Sequence, residues 1–246
     1  MLMTNDFSAI LLAAGEGQRL RPYTFSTPKC LMPINGIPIL DLWIDHLVSH
    51  QGLREIFINT SYLAENVEDH IKHHKHKSKI SLTNETKLLG TAGTVKQLVS
   101  QIKSKHVFIA HADNLSYFDF EKFFLDHLKR PESCQLTMMT FDTQDPCSCG
   151  IVTLNHERIV IDYEEKPKIR ISGEANAAVY FFTNESLKTI ERMANISDLS
   201  RDVIPQFIGK IFAWKNDCYH RDIGNPESYK LGQTEFLQFQ LQKEKK

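Results

Sequence analysis

The 246-residue chain carries 29 Lys and Arg against 30 Asp and Glu, a net charge of −1, which excludes the basic excess that a broad nucleic-acid surface needs. Hydrophobic content of 41% and charged content of 24% are those of a globular protein able to bury a large α/β core. No apolar stretch approaches the roughly 20 residues of a membrane span, and the N-terminus lacks the basic region and long apolar stretch of a signal peptide. A cytoplasmic protein without nucleic-acid or membrane partners is therefore expected.

The elements are predicted as follows. Ala9–Ala14 is a short apolar run of the kind a central parallel strand makes. It opens into Gly15 and Gly17, which free the backbone to turn tightly and approach a ligand. Arg19, Arg21 and Lys29 place three cations in the segment that follows. A strand that ends in a glycine turn with exposed amides and cations is a phosphate-binding arrangement. It is not a P-loop, because no Gly-Lys-Ser/Thr follows at the required spacing. It is not a dinucleotide fingerprint either, because Arg19-Leu20 stands where the third glycine would be.

Further along, Pro38–His50 reads as a helix with Leu40, Trp43, Ile44, Leu47 and Val48 on one face. Glu55–Asn59 reads as strand, Leu63–His74 as helix, Ile80–Thr83 as strand, Thr91–Gln101 as helix and Val107–Ala112 as buried strand. The His-rich run Lys72–Lys77 closes an amphipathic helix, where His and Lys suit the C-terminal dipole; a solvated helix end is expected there. This βαβ alternation predicts a mostly parallel sheet with helices on both faces and ligands beyond the carboxyl ends of its strands. Asp113 falls at such an end.

The second half is richer in strands. Gln135–Phe141, Ile151–Leu154, Ile159–Tyr163 and Ala177–Phe182 read as β. Helices follow at Asn184–Met193 and Arg201–Ile208, short strands at Ile211–Trp214 and Cys218–Arg221, and a closing helix at Pro226–Gln242. No repeat or linker divides the chain. One domain over residues 1–246 is expected, in two parts, 1–133 and 134–246. The cysteines Cys30, Cys134, Cys147, Cys149 and Cys218 form no disulfide framework, and Cys147-Ser-Cys149 lacks the spacing and second pair of a zinc site. Reduced thiols are expected.

The string Leu11-Leu12-Ala13-Ala14-Gly15-Glu16-Gly17-Gln18-Arg19-Leu20-Arg21-Pro22-Tyr23-Thr24, with Pro28-Lys29 beyond it, resembles the signature of the sugar-1-phosphate nucleotidyltransferases. Further segments match in order. Leu88-Leu89-Gly90-Thr91-Ala92-Gly93 resembles the base-binding loop, and Ala112-Asp113-Asn114 the metal-binding aspartate, with Ala112 where glycine is common. Glu164-Glu165-Lys166-Pro167 resembles the Glu-Lys-Pro motif. Asn176-Ala177-Ala178-Val179-Tyr180 resembles Asn-x-Gly-x-Tyr, with Ala178 in the glycine's place. Asp222-Ile223-Gly224-Asn225-Pro226 resembles the closing motif, with Asn225 for Thr. No hexapeptide repeat follows, so the resemblance implies a short member without a C-terminal β-helix, most like mannose-1-phosphate guanylyltransferases. It implies a glycosyltransferase-A-like α/β fold: a Rossmann-like mixed, mostly parallel sheet flanked by helices.

The resemblance implies that residues 1–133 form a nucleotide-binding part and 134–246 a sugar-phosphate-binding part, and it also implies the chemistry. A sugar 1-phosphate oxygen attacks the α-phosphorus of a nucleoside triphosphate and pyrophosphate leaves. The nucleophile is already anionic, so positioning and cations supply most of the catalysis. Catalytic roles fall to Arg19, Lys29 and Lys166. The nucleotide would be held by Leu12, Ala13, Ala14, Gly15, Glu16, Gly17, Gln18, Arg19, Glu85, Gly90 and Thr91. The sugar phosphate would be held by Gly150, Glu165, Lys166 and Asn176. Asp113 and Asp222 would share one Mg²⁺, a hard cation that takes carboxylate and phosphate oxygens. Glu85 favours GTP, because a carboxylate accepts both N–H groups on guanine's Watson–Crick edge. A uridylyl- or cytidylyltransferase acting on another phosphorylated substrate, and an inactive regulatory homologue, stay open. The oligomeric expectation is a monomer or small homo-oligomer.

Overall fold

The computed structural model of the chain describes residues 6–169 and 173–243, with side chains of the closing helix described through residue 239. The strands are β1 Phe7–Leu12, β2 Pro33–Ile34, β3 Ile37–Pro38, β4 Leu53–Thr60, β5 Ile80–Asn84, β6 His106–His111, β7 Asn114–Tyr117, β8 Leu136–Phe141, β9 Gly150–Leu154, β10 Val160–Glu165, β11 Glu174–Thr183, β12 Ile211–Lys215 and β13 Tyr219–Asp222. The α-helices are α1 Ile39–Val48, α2 Ala64–His73, α3 Gly90–Leu98, α4 Phe120–Leu128, α5 Asn184–Arg192 and α6 Pro226–Lys243.

A nine-stranded sheet runs in the order β10-β9-β11-β6-β1-β4-β5, with β8 paired to β11 and β12 paired to β8. It is mixed, as expected: β4 with β5 and β12 with β8 are parallel, while β11 is antiparallel to β6, β8 and β9. Every residue of β1 is buried, which is why this strand reads as an unbroken apolar run.

The chain forms two compact units that interleave in sequence. Among the described residues, the first comprises 6–10, 89–110, 118–169 and 173–217. Its core is aromatic: Phe7, Phe108, Phe120, Phe123 and Phe124 surround Phe181, with ring centroids 5.0 to 5.9 Å from it. Helix α4 buries Phe120, Phe123 and Phe124 on one face and starts at Asp119, whose carboxylate accepts the Lys122 N–H at 2.9 Å, an N-cap. No helix was expected here. Its three phenylalanines have poor intrinsic helix propensity, so the cap and the apolar stripe set the conformation. The helix expected over Arg201–Ile208 is instead a π-turn, Leu199–Val203, running into a 3₁₀ turn, Ile204–Phe207. Pro205 has no N–H to continue an α-helical ladder.

The second unit comprises, among the described residues, 11–88, 111–117 and 218–243. Helix α1 buries Ile39, Leu40, Trp43, Ile44 and Leu47, and the Trp43 indole N–H donates to the Asn114 carbonyl at 2.9 Å. Two short elements escaped the sequence reading: the β2–β3 pair and the strand β7, which pairs antiparallel with β13 from Asn114↔Asp222 to Tyr117↔Tyr219. Asn225 Oδ1 accepts the Ser228 N–H at 2.9 Å at the start of α6, so asparagine retains the capping oxygen that threonine would supply. The histidine run is a solvated helix end in part: Lys72, His73, Lys75 and Lys77 are exposed, but His74 is not. His74 is buried at its side chain (7% exposed) 3.7 Å from Asp41, and His70 Nε2 sits 2.6 Å from the same carboxylate oxygen. Burial lowers the His74 pKa against the pull of Asp41 and Asp45.

The five cysteines are free thiols. Burial pushes Cys30 up to about 12, which leaves it an inert core residue.

Candidate active site

The loop after β1 runs Ala13 to Gly17 in the second unit. Gly17 sits at φ +63, and a Cβ there would come within 2.9 Å of Thr24 Cγ2 and 3.2 Å of Lys29 Cβ. Glycine is required at this position on both counts. Around Gly15 there is open space within 4 Å, so the loop is closed on one side and accessible on the other. The Gly17 carbonyl accepts the Thr24 hydroxyl at 2.8 Å and the Leu20 N–H at 2.9 Å. These bonds fold a 3₁₀ turn, Gln18–Leu20, that carries Arg19. Leu12 and Ala14 are buried, whereas Glu16 and Gln18 lie toward solvent and bond each other at 2.6 Å.

Four charged groups expected from the sequence come together in this unit. Lys29 Nζ lies 2.5 Å from Asp113 Oδ2 and 3.3 Å from Asp222 Oδ1. Arg19 reaches Asp222 Oδ2 at 3.8 Å from a largely exposed position. Asp113 follows β6, and Asp222 ends β13 opposite Asn114; the β7–β13 ladder therefore carries the two aspartates to one lysine. Burial disfavours the Lys29 ammonium, but the charges of Asp113 and Asp222 outweigh it and raise its pKa. Burial likewise pushes the Asp113 carboxyl up, and Lys29, with His111 behind it, holds it below the usual carboxylate range. Gly224 is part of the same build: a Cβ there would lie 2.9 Å from both Arg19 Nη2 and Asp222 Oδ2.

Two carboxylates that already bracket one cation are a fitting donor set for Mg²⁺, which takes one or two carboxylates and completes its shell with phosphate oxygens and water. Among the described residues there is no cluster of three or more His, Cys, Asp or Glu ligands suited to a metal.

Glu85 is buried at the end of β5. Its N–H donates to the Thr60 carbonyl at 2.7 Å, and its Oε1 accepts Asn59 Nδ2 at 2.9 Å. Asn59 carries no signal of its own before the structure is known, since it reads as one polar residue in a strand.

The remaining expected residues lie in the first unit. Gly90 opens α3 at φ +77, where a Cβ would fall 2.2 Å from the Ser197 carbonyl oxygen. The Ala92 N–H donates to that carbonyl at 3.0 Å, and the Thr91 hydroxyl accepts the Leu199 N–H at 2.8 Å. Both residues thus fasten the 197–199 segment to α3. Glu165 accepts a short hydrogen bond from the Tyr163 hydroxyl, and Asn176 Nδ2 donates to the Tyr180 hydroxyl at 2.8 Å. Burial raises both phenol pKa values, and the Glu165 charge adds to the rise. These tyrosines are therefore neutral hydrogen-bonding groups at physiological pH. Gly150 makes room for Tyr163 and Glu165, because a Cβ would fall 2.1 Å from the Tyr163 hydroxyl and 2.7 Å from Glu165 Oε2. Lys166 is exposed, at φ +52, with Nζ 4.0 Å from Glu165 Oε1. Tyr163 and Tyr180 complete a polar group that the Glu-Lys-Pro and Asn-x-x-x-Tyr patterns announced only in part.

The mixed α/β sheet and the glycine loop leaving its first strand define a nucleotidyltransferase-type fold. The chain belongs to the nucleotidyl transferase family, whose model matches residues 8–238. The mannose-1-phosphate guanylyltransferase catalytic subunit beta of Drosophila melanogaster is 28% identical over 98% of this chain and 65% of that protein. The chain spans just under two thirds of the length of such curated relatives. A crystal structure of HddC from Yersinia pseudotuberculosis is similar with a TM-score of 0.77 and 27% identity, covering 93% of this chain and 99% of that one. The same protein complexed with GMP-PN gives a TM-score of 0.76 at the same identity and coverage.

Proposed function

We propose that this protein transfers a nucleotidyl group from a nucleoside triphosphate, GTP by preference, to a sugar 1-phosphate, releasing pyrophosphate. One observation carries the reading: a buried lysine between two carboxylates beside a glycine loop. That arrangement suits a reaction between polyanions in which charge must be neutralised rather than protons moved. The phosphate oxygen of the sugar 1-phosphate bonds to the α-phosphorus, the bond to the β-phosphate oxygen breaks, and pyrophosphate carries off the electron pair. Loop amides from Gly15 to Gln18 and the Arg19 fork bind the leaving phosphates. Lys29 orients the reacting phosphates and balances their charge, and Lys166 holds the phosphate of the sugar. Glu165 and Asn176, steadied by Tyr163 and Tyr180, read sugar hydroxyls.

Asp113 and Asp222 would hold Mg²⁺, which supplies neutralisation of phosphate charge. Glu85 carries the preference for guanine, and the guanylyltransferase names among the relatives agree with it. The complex of HddC with GMP-PN agrees as well. No described helix is long and apolar enough to cross a membrane. We place the protein in the cytoplasm, as a monomer or small homo-oligomer, with nucleotide and sugar phosphate as its partners.

The test is a pyrophosphate-release screen of GTP, UTP, CTP, ATP and dTTP against a panel of sugar 1-phosphates with Mg²⁺. Fastest release with GTP is the expected result. Faster turnover with another triphosphate for every sugar replaces the guanine assignment. No release with any pair, from folded protein that binds nucleotide, rejects the transferase reading.

A further inference from the structure

We propose that Asn59 is the positioning residue that sets base choice, by holding Glu85 and the loop after β1 in one fixed relation. This rests on the reading of Glu85 as the base-recognising carboxylate. Asn59 lies at the end of β4, 3% exposed. In the parallel β4–β5 register Asn59 pairs with Thr83 and Thr60 with Asn84, so Glu85 is the first residue past the ladder. The Asn59 amide spans two groups that sequence separates widely: Oδ1 accepts the Ala13 N–H at 2.7 Å, and Nδ2 donates to Glu85 Oε1 at 2.9 Å.

The chemistry allows one orientation of that amide. The Ala13 N–H can only donate, so it needs the carbonyl oxygen. The Glu85 carboxylate can only accept, so it needs the NH₂. Asparagine supplies both ends at this reach. Aspartate would set a second carboxylate against Glu85, and alanine would leave a buried acceptor short of a partner. Glu85 is also fixed through its backbone, since its N–H bonds Thr60 and its carbonyl accepts the Ser61 hydroxyl at 2.9 Å. What Asn59 adds is control of the carboxylate itself, coupled to the first residue of the nucleotide loop. Discrimination between bases depends on hydrogen-bond groups held at fixed positions, because a mobile carboxylate accepts from several edges.

The experiment is equilibrium binding of GTP and ITP to the full chain, without sugar phosphate, for wild type, Asn59→Ala, Glu85→Gln and the double variant. ITP lacks the guanine 2-amino group. Wild type is expected to favour GTP, and Asn59→Ala to reduce that preference by about tenfold, the scale of one hydrogen-bond partner. The double variant is expected to match Glu85→Gln alone, because Asn59 acts through Glu85. A circular-dichroism melt accompanies each variant, and Asn59→Ser, which retains a small polar side chain, substitutes if Asn59→Ala does not fold. An unchanged GTP-to-ITP ratio overturns the proposal. So does equal weakening of both nucleotides, which a purely structural role would give. If wild type instead binds UTP or CTP more tightly than GTP, the guanine reading fails by itself. Asn59 then stands only if its variant flattens that other preference.

Discussion

Asp113 and Lys29 stand 84 residues apart, Lys29 and Asp222 193 apart, and nothing in their local sequence states that they meet. Motif resemblance named them, and the β7–β13 ladder is what delivers them to one place. Asp113→Asn removes a full charge from a lysine that is almost buried and replaces a hard anionic ligand with a neutral amide. Turnover is expected to fall by about 100-fold or more, while the Asp222–Lys29 pair keeps the fold. Steady-state kinetics at saturating Mg²⁺ check this, and near-normal turnover refutes the assigned role. Gly150→Ala probes the first unit in the same way. Its Cβ would displace Tyr163 and Glu165, so KM for the sugar phosphate should rise about tenfold or more, with KM for the nucleotide unchanged. Gly150 was legible as a candidate for the sugar-phosphate site. Its role as the space that Tyr163 fills was not, because that depends on the β9–β10 register Glu165↔Gly150.

Elements were legible where hydrophobic period and turn chemistry agree. The buried run of β1, the amphipathic face of α1 and the closing helix α6 all read directly from sequence. Helix α4 did not, because its aromatic composition suggests strand as readily as helix. Neither did the short strand β7, which exists because it pairs with β13. Backbone conformation at element ends was hidden as well. At the start of α3, Gly90 combines positive φ with close approach to the Ser197 carbonyl. Gly90→Ala should therefore cost about 3 kcal/mol, from the left-handed penalty and the clash together, read as a lowered urea midpoint. In β11 the reverse applies. Ala178 occupies φ +52 in the position where the family's motif has glycine, beside the register shift between Asn176 and Tyr180. Ala178→Gly should stabilise the protein by about 1 kcal/mol, through relief of that strain. An unchanged or lower melting temperature would show that the alanine methyl contributes more packing than it costs in strain.

At the scale of the whole molecule, stability should respond to acid through the core of the first unit. His127 is fully buried there: its Nε2 faces His106 Nδ1 at 3.0 Å and its Nδ1 faces Thr137 Oγ1 at 2.9 Å. Burial, with Arg130 nearby, holds His127 well below its ordinary 6.5 and lowers His106 to about 4. One ring nitrogen of the pair must donate and the other accept, which two neutral imidazoles satisfy and two imidazolium ions do not. Because the folded pKa values are depressed, the unfolded chain binds more protons than the folded one between about pH 6.5 and pH 4. Stability is therefore complete above pH 6.5 and falls as the pH drops through that window. His127 alone contributes a slope approaching about 1.4 kcal/mol per pH unit. Replacing it with phenylalanine, which stacks against Phe124 and Phe181 in the same place, removes that proton uptake but leaves Thr137 and His106 short of a partner. The variant should be less stable than wild type at pH 7.5, and its stability should change less between pH 6.5 and 5. Urea unfolding at pH 7.5, 6.5, 5.5 and 5.0 measures both quantities. Parallel pH profiles for the two proteins would show that the acid sensitivity arises elsewhere in the fold.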